Sequence, residues 1–265
     1  MSKLSKLSKL SIFKFKKFTV NQDRCAMKIG TDGVLLGAWC PIDNNPFSVL
    51  DIGAGTGILS LMVAQRSSAE HSSLKVEQAQ QIDAIEIDEN AFEQCVENFE
   101  SSPWSDRLYC YHASLDEFMA EPEDEYDIIL SNPPFYSEDY KTENEQRDLA
   151  RFQDALPFED LVEAASMLLS AKGIFAVIIP YKEEAKFVGL AKECNLFPFK
   201  ITRVKGTPTA DPNASEQAKQ IKRSLLAFSF TKKEKIEQGE LVIETSRHQY
   251  TEDYIALTKD FYLKM

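Results

Sequence analysis

From residue 48 onward the chain alternates between two apolar rhythms. Short β-branched and aliphatic runs, each closed by polar or acidic residues, predict strands at 48–52, 81–87, 107–111, 127–130 and 174–179. Between and after them, apolar residues at helical spacing predict helices at 58–65, 90–99, 158–169 and 183–193. Strands that alternate with helices are joined by crossovers, and crossovers pair strands in parallel. Segments 197–204 and 224–230 read as a further strand pair, separated by the polar stretch GTPTADPNASEQAK, whose Asp211-Pro212-Asn213 turn chemistry predicts a mobile loop. A last helix is predicted at 252–261. The expected fold is α/β: a doubly wound, mostly parallel, seven-stranded sheet with helices on both faces.

Ahead of this pattern, Phe13, Phe15 and Phe18 predict a short β-segment. The turn-rich stretch MKIGTDG follows, and then a short apolar helix at 34–39. No repeat occurs beyond the initial SKL triplets, and no linker divides the chain. The expected organisation is a basic arm at 1–12 and one domain at 13–265, of which 13–47 is a small extension.

Charge changes this picture at the N-terminus. The whole chain carries a formal net charge of −12, yet its first 20 residues hold six lysines and no acid. A basic arm on an acidic body either contacts phosphate or is a solvated tail. A signal peptide is not expected, because lysines recurring every third residue through SKLSKLSKL leave no uninterrupted apolar stretch of the usual length of about 7–15 residues.

Composition excludes several classes. Hydrophobic residues at 43% and charged residues at 27% are those of a globular protein. No apolar run approaches the roughly 18 residues that span a bilayer. Cys25, Cys40, Cys95, Cys110 and Cys194 form no C-x-x-C pair, which points to reduced thiols in the cytoplasm. With His71, His112 and His248 also scattered, no metal site is expected.

The segment Val49-Leu50-Asp51-Ile52-Gly53-Ala54-Gly55-Thr56-Gly57 lies at a predicted strand-to-helix junction. Glycines there allow a sharp turn and a close approach to a nucleotide. The third glycine comes one residue earlier than in the dinucleotide fingerprint, where this chain has Ile58, and an acid stands two residues before the first glycine. That spacing suits S-adenosylmethionine, which has no pyrophosphate to cradle but carries an ammonium that Asp51 can attract. Glu86, at the end of the second strand, can accept both ribose hydroxyls; Asp88, two residues on, is the reserve candidate. After the third strand, Ser114 is a candidate for the cofactor's adenine, although Ser114 and Asp116 equally suit the cap of a following helix.

The fourth strand leads into Ser131-Asn132-Pro133-Pro134-Phe135, about 80 residues after the glycine-rich loop. An exocyclic amine delocalises its lone pair into its ring. Two acceptors on its N–H groups favour a pyramidal nitrogen whose lone pair faces a methyl donor. The Asn132 side-chain carbonyl and the Pro133 backbone carbonyl can supply them, held in advance by two prolines. Phe135 can stack on the substrate ring, a contact worth about 1–3 kcal/mol. Positioning then carries most of the rate, without a covalent nucleophile.

Taken together, DIGAGTG and NPP-[FY] resemble the class I amino-methyltransferases with a Rossmann-like sheet. Asp23-Arg24-Cys25-Ala26-Met27-Lys28-Ile29-Gly30-Thr31-Asp32-Gly33, followed by Val34-Leu35-Leu36-Gly37-Ala38-Trp39, is narrower. It resembles the bacterial tRNA (adenine-N6)-methyltransferases that modify the adenosine 3′ of the anticodon in a valine tRNA. Ser102-Pro103-Trp104, Leu225-Leu226-Ala227-Phe228 and Tyr254…Leu257…Phe261-Tyr262-Leu263 share that likeness, which covers nearly all of the chain after residue 13. The resemblance implies an S-adenosylmethionine-dependent enzyme of the cytoplasm with a flexible N-terminal element over the cofactor. It also implies that Lys28, Thr31 and Asp32 lie near the cofactor or its entrance. Relatives carry an acid where this chain has Ser114-Leu115, and the SKL triplets are outside the family pattern.

An anticodon loop is single-stranded, so a base can be unstacked for a few kcal/mol, and basic residues are needed only beside the site. Candidates are the N-terminal lysines, Lys141, Arg147, Arg151, Lys219, Lys222 and Arg223. The expected function is N6-methylation of adenine in a tRNA anticodon loop, with Asn132, Pro133 and Phe135 in the chemistry. Rivals are an N-methyltransferase for rRNA guanine or protein glutamine, and a non-catalytic RNA-binding protein on the same fold. A glutamine enzyme typically has a helical domain ahead of the cofactor strand, for which the extension is too short.

Overall fold

The run Ile174–Ile179 shows why the central strands form. Ile174, Ala176 and Ile178 belong to one apolar cluster and Phe175, Val177 and Ile179 to another, so every residue of the run is buried. A strand covered on both faces reads as a continuous hydrophobic stretch, and the two clusters are the two helical layers of a doubly wound sheet. The computed structural model describes residues 12–43, 46–67, 80–120, 125–134, 156–206 and 221–265.

In chain order the sheet strands are β3 (Ser48–Ile52), β4 (Gln81–Glu86), β5 (Leu108–His112), β6 (Tyr126–Ser131), β7 (Leu169–Pro180), β8 (Phe197–Lys205), β9 (Ile221–Ser229) and β10 (Glu237–Val242). They lie in the order β10-β8-β9-β7-β6-β3-β4-β5. The pairs from β7 through β6, β3 and β4 to β5 are parallel, as is β10 with β8, while β9 runs antiparallel to both β7 and β8. The doubly wound, mostly parallel sheet is therefore as expected, with one strand more than the sequence suggested. That strand is β10, whose exposed polar residues at a sheet edge carry no apolar run.

The helices are α1 (Thr31–Trp39), α2 (Ile58–Arg66), α3 (Glu89–Glu100), α4 (Leu115–Ala120), α5 (Phe158–Leu168), α6 (Glu184–Glu193) and α7 (Glu252–Thr258). Helices α1, α2, α3 and α7 bury their apolar residues in the cluster that holds Val49 and Ile128; α4, α5 and α6 use the cluster that holds Leu50 and Ile129. The last helix stops at Thr258, three residues before its expected end, and Phe261 turns back into the core with its N–H on Thr258 O.

The hairpin of β1 (Ile12–Lys14) and β2 (Thr19–Asn21) is stitched to the end of the chain. Phe15 bridges Tyr262, Lys16 N donates to Phe261 O at 2.8 Å, and Lys16 Nζ reaches Met265 O at 3.0 Å. Phe15 stacks on Phe18 with ring centroids 4.6 Å apart, and Phe18 meets Trp104 edge-on. The early phenylalanines thus close one end of the core. Among the described residues, no helix is long and apolar enough to cross a membrane.

Candidate active site

After β3 the chain moves outward in one direction, through β4 to β5, and then returns to place β6 on the opposite flank of β3. Such a reversal opens a crevice at the carboxyl ends of the two strands. In the paired register Ile52 lies opposite Ser131. The glycine-rich loop that follows Ile52 and the Asn132-Pro133 segment that follows Ser131 consequently leave the sheet side by side.

The loop is wound through three left-handed glycines: Gly53 at φ 75°, Gly55 at φ 55° and Gly57 at φ 77°. They serve different ends. A Cβ on Gly53 or Gly55 would meet nothing within 4 Å, whereas on Gly57 it would lie 2.5 Å from Phe99 and 2.9 Å from Cys95 Sγ. The first two face open space, and the third lets the start of α2 lie against α3.

Glu86 braces this loop from β4. One carboxylate oxygen accepts from Gly55 N at 2.7 Å and the other from Asp88 N at 2.9 Å. A carboxylate has about four acceptor positions, so these bonds leave capacity for hydroxyl groups. Asp88 is otherwise engaged: it caps α3, with its Oδ1 accepting from Ala91 N at 2.8 Å.

Asp51 is fully buried on β3. Its Oδ2 accepts from Ser60 N at 3.2 Å and from Ser60 Oγ at 2.8 Å, while Oδ1 has no hydrogen-bond partner. Burial pushes its carboxyl up to about 7, against the lowering effect of the Ser60 bonds, and the Glu86 charge pushes the same way. A half-satisfied buried carboxyl beneath an open loop, with a second carboxylate beside it, fits a ligand that brings an ammonium and vicinal hydroxyls.

The segment between β2 and α1 passes close to these carboxylates. Burial, with Glu86 and Asp88 nearby, pushes the Cys25 thiol up to about 12. Ile29 N donates to Gln22 Oε1 at 2.8 Å, and Arg24 N to Gln94 Oε1 at 3.1 Å. Arg24 also pairs with Glu93 and Glu97. Asn98 ties the segment to the glycine loop: its Oδ1 accepts from Asn21 N at 2.8 Å, and its Nδ2 donates to Asn21 O and Thr56 O at 2.9 Å each. Gln94 and Asn98 share the buried stripe of α3 with Ala91, Cys95 and Phe99, and two amides in such a stripe were the signal that could have revealed them. Lys28 and Thr31 are exposed, with Thr31 opening α1.

On the other side of the crevice, the buried Ser131 donates its hydroxyl to Ile52 O at 2.9 Å. Asn132 is half-buried, Pro133 buried and Pro134 exposed. A Cβ on Gly33 would lie 3.9 Å from Asn132 Nδ2 and 3.2 Å from Ile58 Cγ2, so the first turn of α1 faces both motifs. Phe135, Lys141, Arg147, Arg151 and Lys219 lie outside the described residues. Lys222 is exposed on β9, and Arg223 Nε donates to Asp32 Oδ2 at 2.8 Å.

Ser114 has a different part. Its N–H and hydroxyl both donate to Glu117 Oε2 at 2.9 Å, and Glu117 N donates back to Ser114 Oγ at 3.2 Å. This is a reciprocal capping box at the start of α4. The structure thus shows the helix-cap use of Ser114 that the sequence left open beside a contact to adenine.

Residues 40–193 match the family described as methyltransferase small domain. The chain is 65% identical over 254 residues to a tRNA1(Val) (adenine(37)-N6)-methyltransferase of Flavobacterium johnsoniae, covering 96% of this chain and 100% of that one. A protein of the same description from Trichodesmium erythraeum is 42% identical over 252 residues, covering 95% and 98% of the two chains. The fold matches a solved structure described as a "predicted O-methyltransferase" from Agrobacterium tumefaciens, with TM-score 0.60, 19% identity, and coverage of 87% of this chain and 96% of that one. It also matches the CcbJ methyltransferase from Streptomyces caelestis, with TM-score 0.51, 10% identity, and coverage of 78% and 95%.

Proposed function

The chain belongs to the tRNA1(Val) (adenine(37)-N6)-methyltransferase family, and on that premise we propose that it methylates N6 of adenine 37 in a valine tRNA. S-adenosylmethionine is the donor. The observation that carries the reading is the Ile52–Ser131 pairing, which sets the glycine loop beside Asn132-Pro133 at the switch point of the sheet.

When bound, the cofactor supplies an electrophilic methyl group on a sulfonium. The chain's own part is to hold and to aim. Asp51, whose Oδ1 lacks a partner, attracts the cofactor's ammonium directly or through water, and Glu86 accepts its ribose hydroxyls with the acceptor capacity that Gly55 and Asp88 leave. Gly53 and Gly55 keep the approach clear, and Lys28 and Thr31 border the entrance. Asn132 and Pro133 accept from the two N–H groups of the adenine amine, so that its lone pair turns toward the methyl group. Phe135 stacks on the base. Fixed dipoles of this kind need no rearrangement during the reaction, and near-attack geometry supplies most of the rate.

The reading extends to one methyltransferase domain at 13–265, to the anticodon loop as the bound part of the tRNA, and to action in the cytoplasm. The N-terminal arm and Lys222 supply phosphate contacts, so affinity for tRNA falls steeply with added salt. The deciding experiment incubates the protein with labelled cofactor and tRNAs lacking modification, then maps the labelled nucleoside. Label at N6 of adenine 37 is the expected result; label on guanine, on protein, or nowhere overturns it.

A further inference from the structure

We propose that the Asp32–Arg223 ion pair is a positioning device for Asn132, acting through the first turn of α1. This rests on the reading of Asn132 as an acceptor for the substrate amine. Arg223 stands on β9 opposite Pro180 of β7, and Val177 of β7 stands opposite Ser131 of β6. Arg223 is therefore two strands from Asn132, on the same crevice side of the sheet. From there its Nε reaches Asp32 Oδ2 at 2.8 Å, in the first turn of α1.

The backbone of that turn is weakly fixed where it begins. Its N-cap is Gly30, which offers no side chain, and its first backbone bond, Val34 N to Gly30 O, is long at 3.5 Å. The turn nevertheless sits where placement matters. Gly33 faces Ile58, the first residue after the cofactor loop, and the Asn132 amide; a Cβ there would lie 3.2 Å from the one and 3.9 Å from the other. The Asp32–Arg223 pair thus ties the turn that faces Asn132 to the substrate half of the sheet.

The expected effect is on rate rather than on stability. Side-chain exposures of 32% for Arg223 and 28% for Asp32 leave the pair partly screened by water, and such pairs add little to folding. Catalytic geometry is far less forgiving, because a misplacement of about 1 Å can lower a rate about a hundred-fold. The other use of Asp32, an acid favouring the helix N-terminus, would change melting temperature and leave turnover alone.

The test compares Asp32→Asn, Arg223→Gln and the reversed pair Asp32→Arg with Arg223→Asp. Cofactor affinity is measured by calorimetry, and KM for tRNA and kcat by methyl transfer. Asp32→Asn is expected to lower kcat by about ten-fold or more with cofactor affinity and KM for tRNA unchanged, and the reversed pair to recover most of the loss. A parallel readout needs no activity. The Asn132 side-chain NH₂ resonances, identified by their loss in Asn132→Ala, should shift in Asp32→Asn and return in the reversed pair. Unchanged resonances and kcat in Asp32→Asn overturn the proposal, as does a kcat loss that tracks weaker cofactor binding or a higher KM. If even the unaltered protein leaves tRNA unmethylated, the functional reading fails, while the resonances still decide whether the pair positions Asn132.

Discussion

Ser131 donates its hydroxyl to the carbonyl of Ile52 at 2.9 Å, fastening the end of one strand to the end of the next. Each partner is the last residue before a motif, so this bond sets the spacing between cofactor loop and amine site. Ser131→Ala removes one buried hydrogen bond, worth about 1 kcal/mol of folding stability. The larger expected effect is on turnover, with kcat reduced several-fold and cofactor affinity unchanged. Melting temperature, calorimetry and initial rates together check it.

Asn132→Ala deletes an acceptor that matters only while the amine is being reshaped. Loss of a preorganised polar group in a transition state costs about 3–4 kcal/mol, a factor of roughly 10²–10³ in kcat. Cofactor affinity, measured by calorimetry, is expected to stay near that of the unaltered protein. Near-normal turnover would remove Asn132 from the chemistry.

Much of this was legible in the sequence, because the information is local there. The strand of Ser48–Ile52 was read at its observed bounds, since an apolar run followed by turn-forming glycines has one sensible folding. Asn132-Pro133-Pro134 stood out because its turn chemistry follows a buried strand. What sequence could not give was adjacency across the sheet. Nothing in Gly33 announces that it faces residue 132, and nothing in Arg223 announces a bond to residue 32. The edge strand of Glu237–Val242 also escaped notice, because an exposed edge needs no apolar alternation.

Two glycines of one loop should respond differently to the same change. Gly57→Ala adds a methyl group 2.5 Å from Phe99 and 2.9 Å from Cys95 Sγ, at a backbone φ of 77°. Gly53→Ala meets no neighbour within 4 Å and bears only the strain of its φ of 75°. Left-handed strain costs about 1–2 kcal/mol, and the clash at residue 57 adds to it. Thermal denaturation should therefore show the larger loss for Gly57→Ala. Equal losses would contradict the separate roles.

Ser114→Ala tests whether the capping box exhausts the role of that residue. Removing an N-cap hydroxyl costs about 1 kcal/mol of stability. A serine that only caps α4 predicts unchanged cofactor affinity. Weakening of cofactor binding by about ten-fold would instead indicate a contact with the cofactor itself.

Asp51 gives the chain a pH dependence whose sign can be worked out. Burial raises its folded pKa from 3.8 to about 7. Between those values the folded state holds a proton that the unfolded state has released, so this group's contribution to stability is greatest below the unfolded pKa and falls as pH rises toward 7. Cofactor binding should show the opposite slope. An ammonium placed beside the unpartnered Oδ1 favours the carboxylate, so binding drives out the proton and affinity rises with pH until Asp51 is ionised without help. One pH unit below the free-protein pKa, affinity should be about ten-fold weaker than at the plateau. Calorimetry in buffers of different ionisation enthalpy should then register close to one proton released per cofactor bound. Asp51→Asn should abolish both the slope and the release. If the slope survives that substitution, the group responsible lies elsewhere, and Asp51 serves only to hold Ser60 at the start of α2.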